Sequence, residues 1–259
     1  FVKINSSNLN ITLGANFLSD AGNFTVLPNV DIQLGLGDSG FGLMAGFKGD
    51  LYKNSFRNTS RYCPYIDSYI KPRNARYTDL YGGIRGNIAK SNVLFKAGIK
   101  KVKNLALFLN TGADFNRFYM LYDTAKITYL EATVTLPVKK NFFMSAHLTK
   151  NFYSLNHNAR PWELPSFMFE LDGRMITAGS KLMLKGSMHL SNGIHYLDEL
   201  NTAQSTKALF DVSIGAEYLV IKNIGLFMEL NNLASNNFER WNRYPSYGFN
   251  VLVGITARF

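Results

Sequence analysis

Residues 9–17 read Leu9-Asn10-Ile11-Thr12-Leu13-Gly14-Ala15-Asn16-Phe17. Apolar side chains take every second position and polar or small ones fill the gaps, the period of a strand with two unlike faces. The same alternation recurs over Val30–Leu36, Phe41–Phe47, Leu80–Ile88, Val93–Ile99, Leu130–Leu136 and Phe142–Leu148. It returns in Phe167–Leu171, Leu182–Leu190, Phe210–Tyr218, Ile224–Leu230 and Phe249–Phe259. Twelve amphipathic strands thus occupy most of the 259 residues, and helical spacing is almost absent.

The connections alternate in length. Short turns are expected at Asp38–Gly40, Ala89–Asn92, Lys139–Asn141, Thr177–Ser180 and Val220–Asn223. Long connections are expected at Ser19–Asn29, Lys53–Ala75, Val102–Asn116, Phe152–Ser166, Ser191–Thr206 and Ala234–Ser246. Short at one end and long at the other is the meander of an outer-membrane barrel. The charge pattern agrees. Charged residues make up 18% of the chain, yet none falls on the apolar parity of these strands. The opposite parity carries Asp31, Lys48, Arg85, Lys96, Glu131, Glu170, Asp172, Arg174, Lys185, Asp211, Glu217 and Glu229. An apolar face turned inward would leave a dry void, because about eight strands already enclose an interior that side chains can fill. Turned outward to lipid, it needs no filling. Ten or eleven residues at about 3.3 Å, tilted about 40°, span roughly 27 Å, close to the lipid band.

The fold expected is all-β, a transmembrane antiparallel up-and-down β-barrel forming a single domain over residues 1–259. Val2 and Ile4 continue the alternation ahead of a turn at Asn5–Asn8, so residues 1–4 read as the stump of a thirteenth strand. Bacterial single-chain barrels have an even strand count, which implies an intact barrel of about 14 or more strands, with this chain as its C-terminal part.

The remaining motifs are weak. Gly35–Gly40 fits G-x-G-x-x-G, but a strand follows where a dinucleotide site needs a helix. Cys63 is the single cysteine, which excludes a disulfide framework, and the four histidines lack metal-ligand spacing. Only His195, with Asp198 and Glu199 close by, could be considered for hydrolysis, and the expectation is no catalytic residue, no cofactor and no metal. The formal charge is +10, and Lys53, Arg57, Arg61, Lys71, Arg73 and Arg76 crowd one loop against Asp67 alone. In a membrane barrel such a cluster suits phosphates of lipopolysaccharide or an acidic partner rather than nucleic acid. Glu170, Asp172, Arg174, Lys185, Asp211, Glu217 and Glu229 lie on neighbouring strands with mixed signs and read as a bracing ladder, since a permeation filter would show one sign. Trp241 and Tyr244, beside Arg240 and Arg243, are expected on the outer rim as contacts for a substrate or partner.

The last strand, Tyr247-Gly-Phe-Asn-Val-Leu-Val-Gly-Ile-Thr-Ala-Arg-Phe259, ends on an aromatic residue. It resembles the signal that outer-membrane barrels present to the barrel assembly machinery, with Phe259 as the residue read. Glu229-Leu-Asn-Asn-Leu-Ala234 and Phe238-Glu-Arg-Trp-Asn-Arg-Tyr-Pro-Ser-Tyr-Gly-Phe249 resemble the end of TonB-dependent-receptor-like barrels of the Bacteroidota. Gly49–Phe56, Tyr81–Gly86 and Arg160–Pro165 fit the same family. The resemblance implies a non-enzymatic transport protein of the bacterial outer membrane. Its expected surroundings are outer-membrane lipid and lipopolysaccharide, the assembly machinery, and other outer-membrane proteins or surface lipoproteins. The strand pattern begins at once, so the plug domain and TonB box of such receptors either precede Phe1 or the chain belongs to plug-less relatives. The alternative is therefore a structural or accessory barrel subunit of a larger complex for barrel biogenesis or secretion.

Overall fold

The computed structural model describes residues 2–20, 22–37, 40–88, 91–110, 116–139, 141–177 and 179–258. Phe259 and parts of the turns at 38–40, 89–92, 139–141 and 177–180 lie outside the described residues. The strands are β1 (Val2–Asn5), β2 (Leu9–Asp20), β3 (Asn23–Gly35), β4 (Phe41–Tyr52), β5 (Ala75–Ile88) and β6 (Ser91–Leu109). Next come β7 (Tyr119–Lys139), β8 (Phe142–Leu155), β9 (Phe167–Thr177), β10 (Leu182–Asn192), β11 (His195–Leu197) and β12 (Ala203–Ser205). The chain ends with β13 (Leu209–Ile221), β14 (Ile224–Asn231), β15 (Glu239–Trp241), β16 (Tyr244–Pro245) and β17 (Asn250–Ala257). A short helix, α1 (Phe56–Tyr62), follows β4.

Thirteen strands form one sheet in the order β1 through β10, then β13, β14 and β17, and each pairs antiparallel with its neighbours along the chain. Twelve full strands and a four-residue stump are what the alternation predicts. The pairs β11–β12 and β15–β16 are small hairpins inside connections. Among the described residues β1 pairs only with β2 and β17 only with β14, so the sheet has two open edges.

Two expectations need correction. No long connection spans Ser19–Asn29: Asp20 pairs with Asn23, the ladder runs unbroken to Leu9↔Leu34, and Gly22 turns the chain at φ +80°. Leu27 and Pro28 hide this strand from a two-residue period. Pro28 also lacks an N–H, and the β3–β4 ladder ends beside it at Asn29↔Lys48. The second correction is length. β6 has 19 residues and β7 has 21, well past the apolar windows, because Lys101, Lys103 and Lys126 extend the outer face in polar form. A register shift between Val102 and Leu105, with Asn104 at φ 60°, marks a bulge near the top of β6.

The faces sort as the parity requires. Leu130 is 50% exposed and its neighbour Tyr129 only 5%, so one points out and the other in. Leu13, Leu34, Ile214, Leu226 and Val253 share the outward exposure. On the inner face Lys48 lies 2.9 Å from Asp31, which also accepts from Tyr81 at 2.5 Å. Lys96 stands 3.6 Å from Asp79 and 4.3 Å above the Tyr81 ring, while the Tyr129 hydroxyl donates to Asp79 at 2.9 Å. Gly46 and Gly98 make room for these rings, since a Cβ at either would collide with Tyr81 or Tyr129. Of the ladder expected on the later strands, Lys185 pairs with Glu229, His189 stands 3.6 Å from Glu170, and Glu217 bonds Arg258 at 2.8 Å. Arg174 instead faces the Phe143 ring at 5.7 Å.

Lysine at Val134, on the outer face, should destabilise the folded barrel by about 2–4 kcal/mol or block its assembly. Lysine at Ser145, inside and opposite Asp172, should be tolerated. Heat-modifiable mobility and urea titration in lipid vesicles read both, and equal tolerance at the two positions would refute the assigned register.

Candidate functional site at the loop end of the barrel

The long connections leave the sheet at one end and meet there. Ser55 caps α1 by accepting from the Asn58 N–H, and the helix ends at Cys63, whose own N–H donates to Thr59. From that point the chain runs beside the next long connection. Asp67 donates to the Phe118 carbonyl at 2.8 Å, and Phe118 donates to Tyr65 at 2.9 Å. The connection after β8 joins the pair, with Phe108 donating to Trp162 and Glu163 donating to His195 at 2.9 Å. Asp123, at the top of β7, holds this connection by accepting from the backbone and side chains of His157 and Asn158 at 2.8–3.0 Å.

At the centre is an aromatic core. Trp241 sets its ring edge-on to Phe108, Tyr62 and Phe118 at centroid separations of 5.2–5.5 Å. Tyr244 stacks on Tyr65 and bonds the Asn116 carbonyl through its hydroxyl. Asn110 and Asn242 exchange two hydrogen bonds, at 3.0 and 3.1 Å, and both are buried. Arg240 lies 4.3 Å over Trp241 and donates to the Tyr62 hydroxyl at 3.1 Å and to the Glu163 carbonyl at 3.4 Å. Arg243 pairs with Glu199 at 2.6 Å. Of the four residues expected on the rim, Trp241 is buried, Arg240 and Tyr244 are half-buried, and only Arg243 is exposed, while all form bonds or ring contacts inside the cluster. Beneath the roof opens a pocket of about 440 Å³, lined in part by Asn54, Tyr77, Lys100, Ile127 and Tyr153.

Lys53, Arg57, Arg61, Lys71 and Arg73 are exposed, and none forms an ion pair among the described residues. Arg76 is half-buried and donates to Thr25 at 2.7 Å. His195 does not meet a carboxylate: its ring bonds Ser205 at 2.9 Å, while Asp198 closes its own turn and Glu199 holds Arg243. Cys63 is fully buried, and burial pushes its thiol up to about 12, which leaves it unreactive.

Sequence reasoning missed Glu163, which is 1% exposed, with neither carboxylate oxygen hydrogen-bonded among the described residues. Its backbone adopts φ 59°, a left-handed conformation uncommon outside glycine. Burial pushes its carboxyl up to about 8, an effect that the Arg240 charge only partly offsets. The one local signal was the Pro-rich frame Arg160-Pro-Trp-Glu-Leu-Pro165, which marks a fixed loop but not a buried acid.

No family model and no curated protein sequence matches the chain. Solved structures do. The ferripyoverdine receptor of the outer membrane of Pseudomonas aeruginosa, bound to ferripyoverdine, matches with a TM-score of 0.69 at 15% identity, over 98% of this chain and 37% of its own. The siderophore receptor PiuA from Acinetobacter baumannii gives 0.65 at 12% identity, over 97% of this chain and 41% of its own. The ferric-catecholate import receptor Fiu from E. coli gives 0.65 at 9%, over 97% and 41%. The chain therefore has the fold of part of the outer-membrane receptor barrels. It spans about two fifths of the length of these receptors.

The neutral form of Glu163 is the one the loop core accommodates. Its contribution to stability is complete below the ordinary carboxyl value of 4.5 and is lost as pH rises through about 8. Both tryptophans, Trp162 and Trp241, sit in this core. Their emission should shift to the red between about pH 6 and pH 9, and Glu163→Gln should flatten that response. An identical pH profile in the variant would remove Glu163 from the explanation.

Proposed function

We propose that the chain is the wall of a receptor-like outer-membrane barrel that takes up a small anionic cargo captured at its loop end, without catalysing a reaction. One observation carries this reading: nearly the whole chain superimposes on part of a ferripyoverdine receptor, a siderophore receptor and a ferric-catecholate import receptor. The cargo class follows from charge, because the exposed cations from Lys53 to Arg73 have no protein counter-ion among the described residues and an anion would supply one. The two open edges support a longer chain, in which further strands complete the barrel, since an unpaired edge in hydrocarbon is costly.

A second reading rests on the buried Trp241. Rings spent on packing the external loops against one another roof the lumen, which suits an accessory barrel whose loops dock a neighbouring outer-membrane protein or surface lipoprotein. Phospholipid, lipopolysaccharide and the barrel assembly machinery are partners under either reading.

Arg57→Glu, Arg61→Glu and Arg73→Glu together, in the full-length protein, should lower cell-associated capture of anionic ferric chelates by about tenfold while folded barrel persists. Undiminished capture would favour the accessory subunit. Ser235→Cys, on the exposed part of the last long connection, should react with a membrane-impermeant maleimide on intact cells while the buried Cys63 stays silent. Reaction only after the outer membrane is opened would invert the orientation.

A further inference from the structure

The extended outer face of β5 to β8 carries a feature that the apolar windows stop short of. Cross-strand registers arrange it in rows. Leu80, Ile99, Thr128 and Phe152 form one row, all exposed on the lipid side. One outward position higher, about 7 Å along the strands, the row reads Thr78, Lys101, Lys126 and Ser154. Above that, Arg76 stands opposite Lys103. Below, Lys150 lies opposite Leu130 and carries its ammonium up to 5.5 Å from the Phe152 ring, the posture of a lysine reaching for a polar boundary.

Lys101 and Lys126 are direct register partners. Like charges placed opposite one another on a sheet destabilise it. No acid shares this face: Asp79, Asp123 and Glu131 are inner-facing, and Lys101, Lys103, Lys126 and Lys150 form no ion pair among the described residues. An unneutralised cluster confined to the rim of an apolar belt is complementary to an anion held at that height, and the phosphates of an outer-leaflet lipid lie there.

We propose that Lys101, Lys103, Lys126 and Lys150 form a binding site on the outer wall for the phosphate groups of lipopolysaccharide. The lipid's acyl chains lie along the row of Leu80, Ile99 and Phe152, and its phosphates bridge the facing lysines. The site is separate from the cargo loop. It rests on the loop end facing outward, which the labelling at Ser235 reports independently.

The test uses the full-length protein in mild detergent, titrated with bis-phosphorylated lipid A, its dephosphorylated form and inorganic phosphate. Lipid A should raise the melting temperature. The dephosphorylated lipid and free phosphate at equal concentration should do much less. Lys101→Gln with Lys126→Gln should weaken the lipid A response by about tenfold, Lys101→Arg with Lys126→Arg should keep it, and Lys222→Gln at the opposite end should leave it unchanged. An equal response to dephosphorylated lipid A, or full binding by the folded double glutamine variant, would overturn the site. A response to free phosphate as strong as to lipid A would assign the lysines to a soluble anion instead. Failure of Ser235 labelling alongside intact lysine-dependent binding would sink the orientation and spare the site's chemistry.

Discussion

Hydrocarbon offers no hydrogen-bonding partner to a peptide group, so each backbone N–H and C=O that crosses the membrane must be satisfied within the protein. Every large feature of this chain follows. Strands must pair with both neighbours, which the simplest connectivity achieves by laying each beside the last. The sheet must curl toward closure, which gives it an inside and an outside. Side chains then divide by parity, with Leu130 sent to lipid and Tyr129 to the lumen one residue away. Charges gather inside, where they pair as Lys48 does with Asp31 and as Lys96 does with Asp79.

The wall was legible in the sequence because its rule is local. A period of two needs only a few residues to declare a face, and it placed twelve strands and the stump ahead of β2. It failed where the rule changes. Leu27 and Pro28 break the alternation, so the first half of β3, up to Asn29, looked like a loop while Val30 onward read as strand. Above Ile99 the outer face turns from apolar to basic, so β6 and β7 looked short although their backbone pairing continues into water.

The loop end was not legible, for a different reason. Parity tells which face a side chain takes and nothing about what meets it across the barrel mouth. Trp241 read as a rim residue because tryptophan beside arginine often marks a contact surface. Of its actual neighbours, Tyr62 and Phe118 come from two other connections and Phe108 from the end of β6. Glu163 was missed likewise, since only assembly of the cluster deprives its carboxylate of water. The basic stretch from Lys53 to Arg76 was readable as charge, but only the structure separates its exposed members from Arg76, which holds Thr25.

The bond between Arg240 and Tyr62 joins residues 178 positions apart. Every strand from β5 to β14 must be in place before the two can meet. Wall pairing is local in sequence and can proceed hairpin by hairpin, whereas the aromatic core has high contact order and must form last. A partly inserted barrel therefore displays Tyr62, Phe108 and Phe118 unsheltered until the final hairpin delivers Trp241. The same dependence runs in reverse. Opening of the last hairpin dissolves the roof while the earlier wall stands, so the loop end is a low-stability unit on top of a durable one.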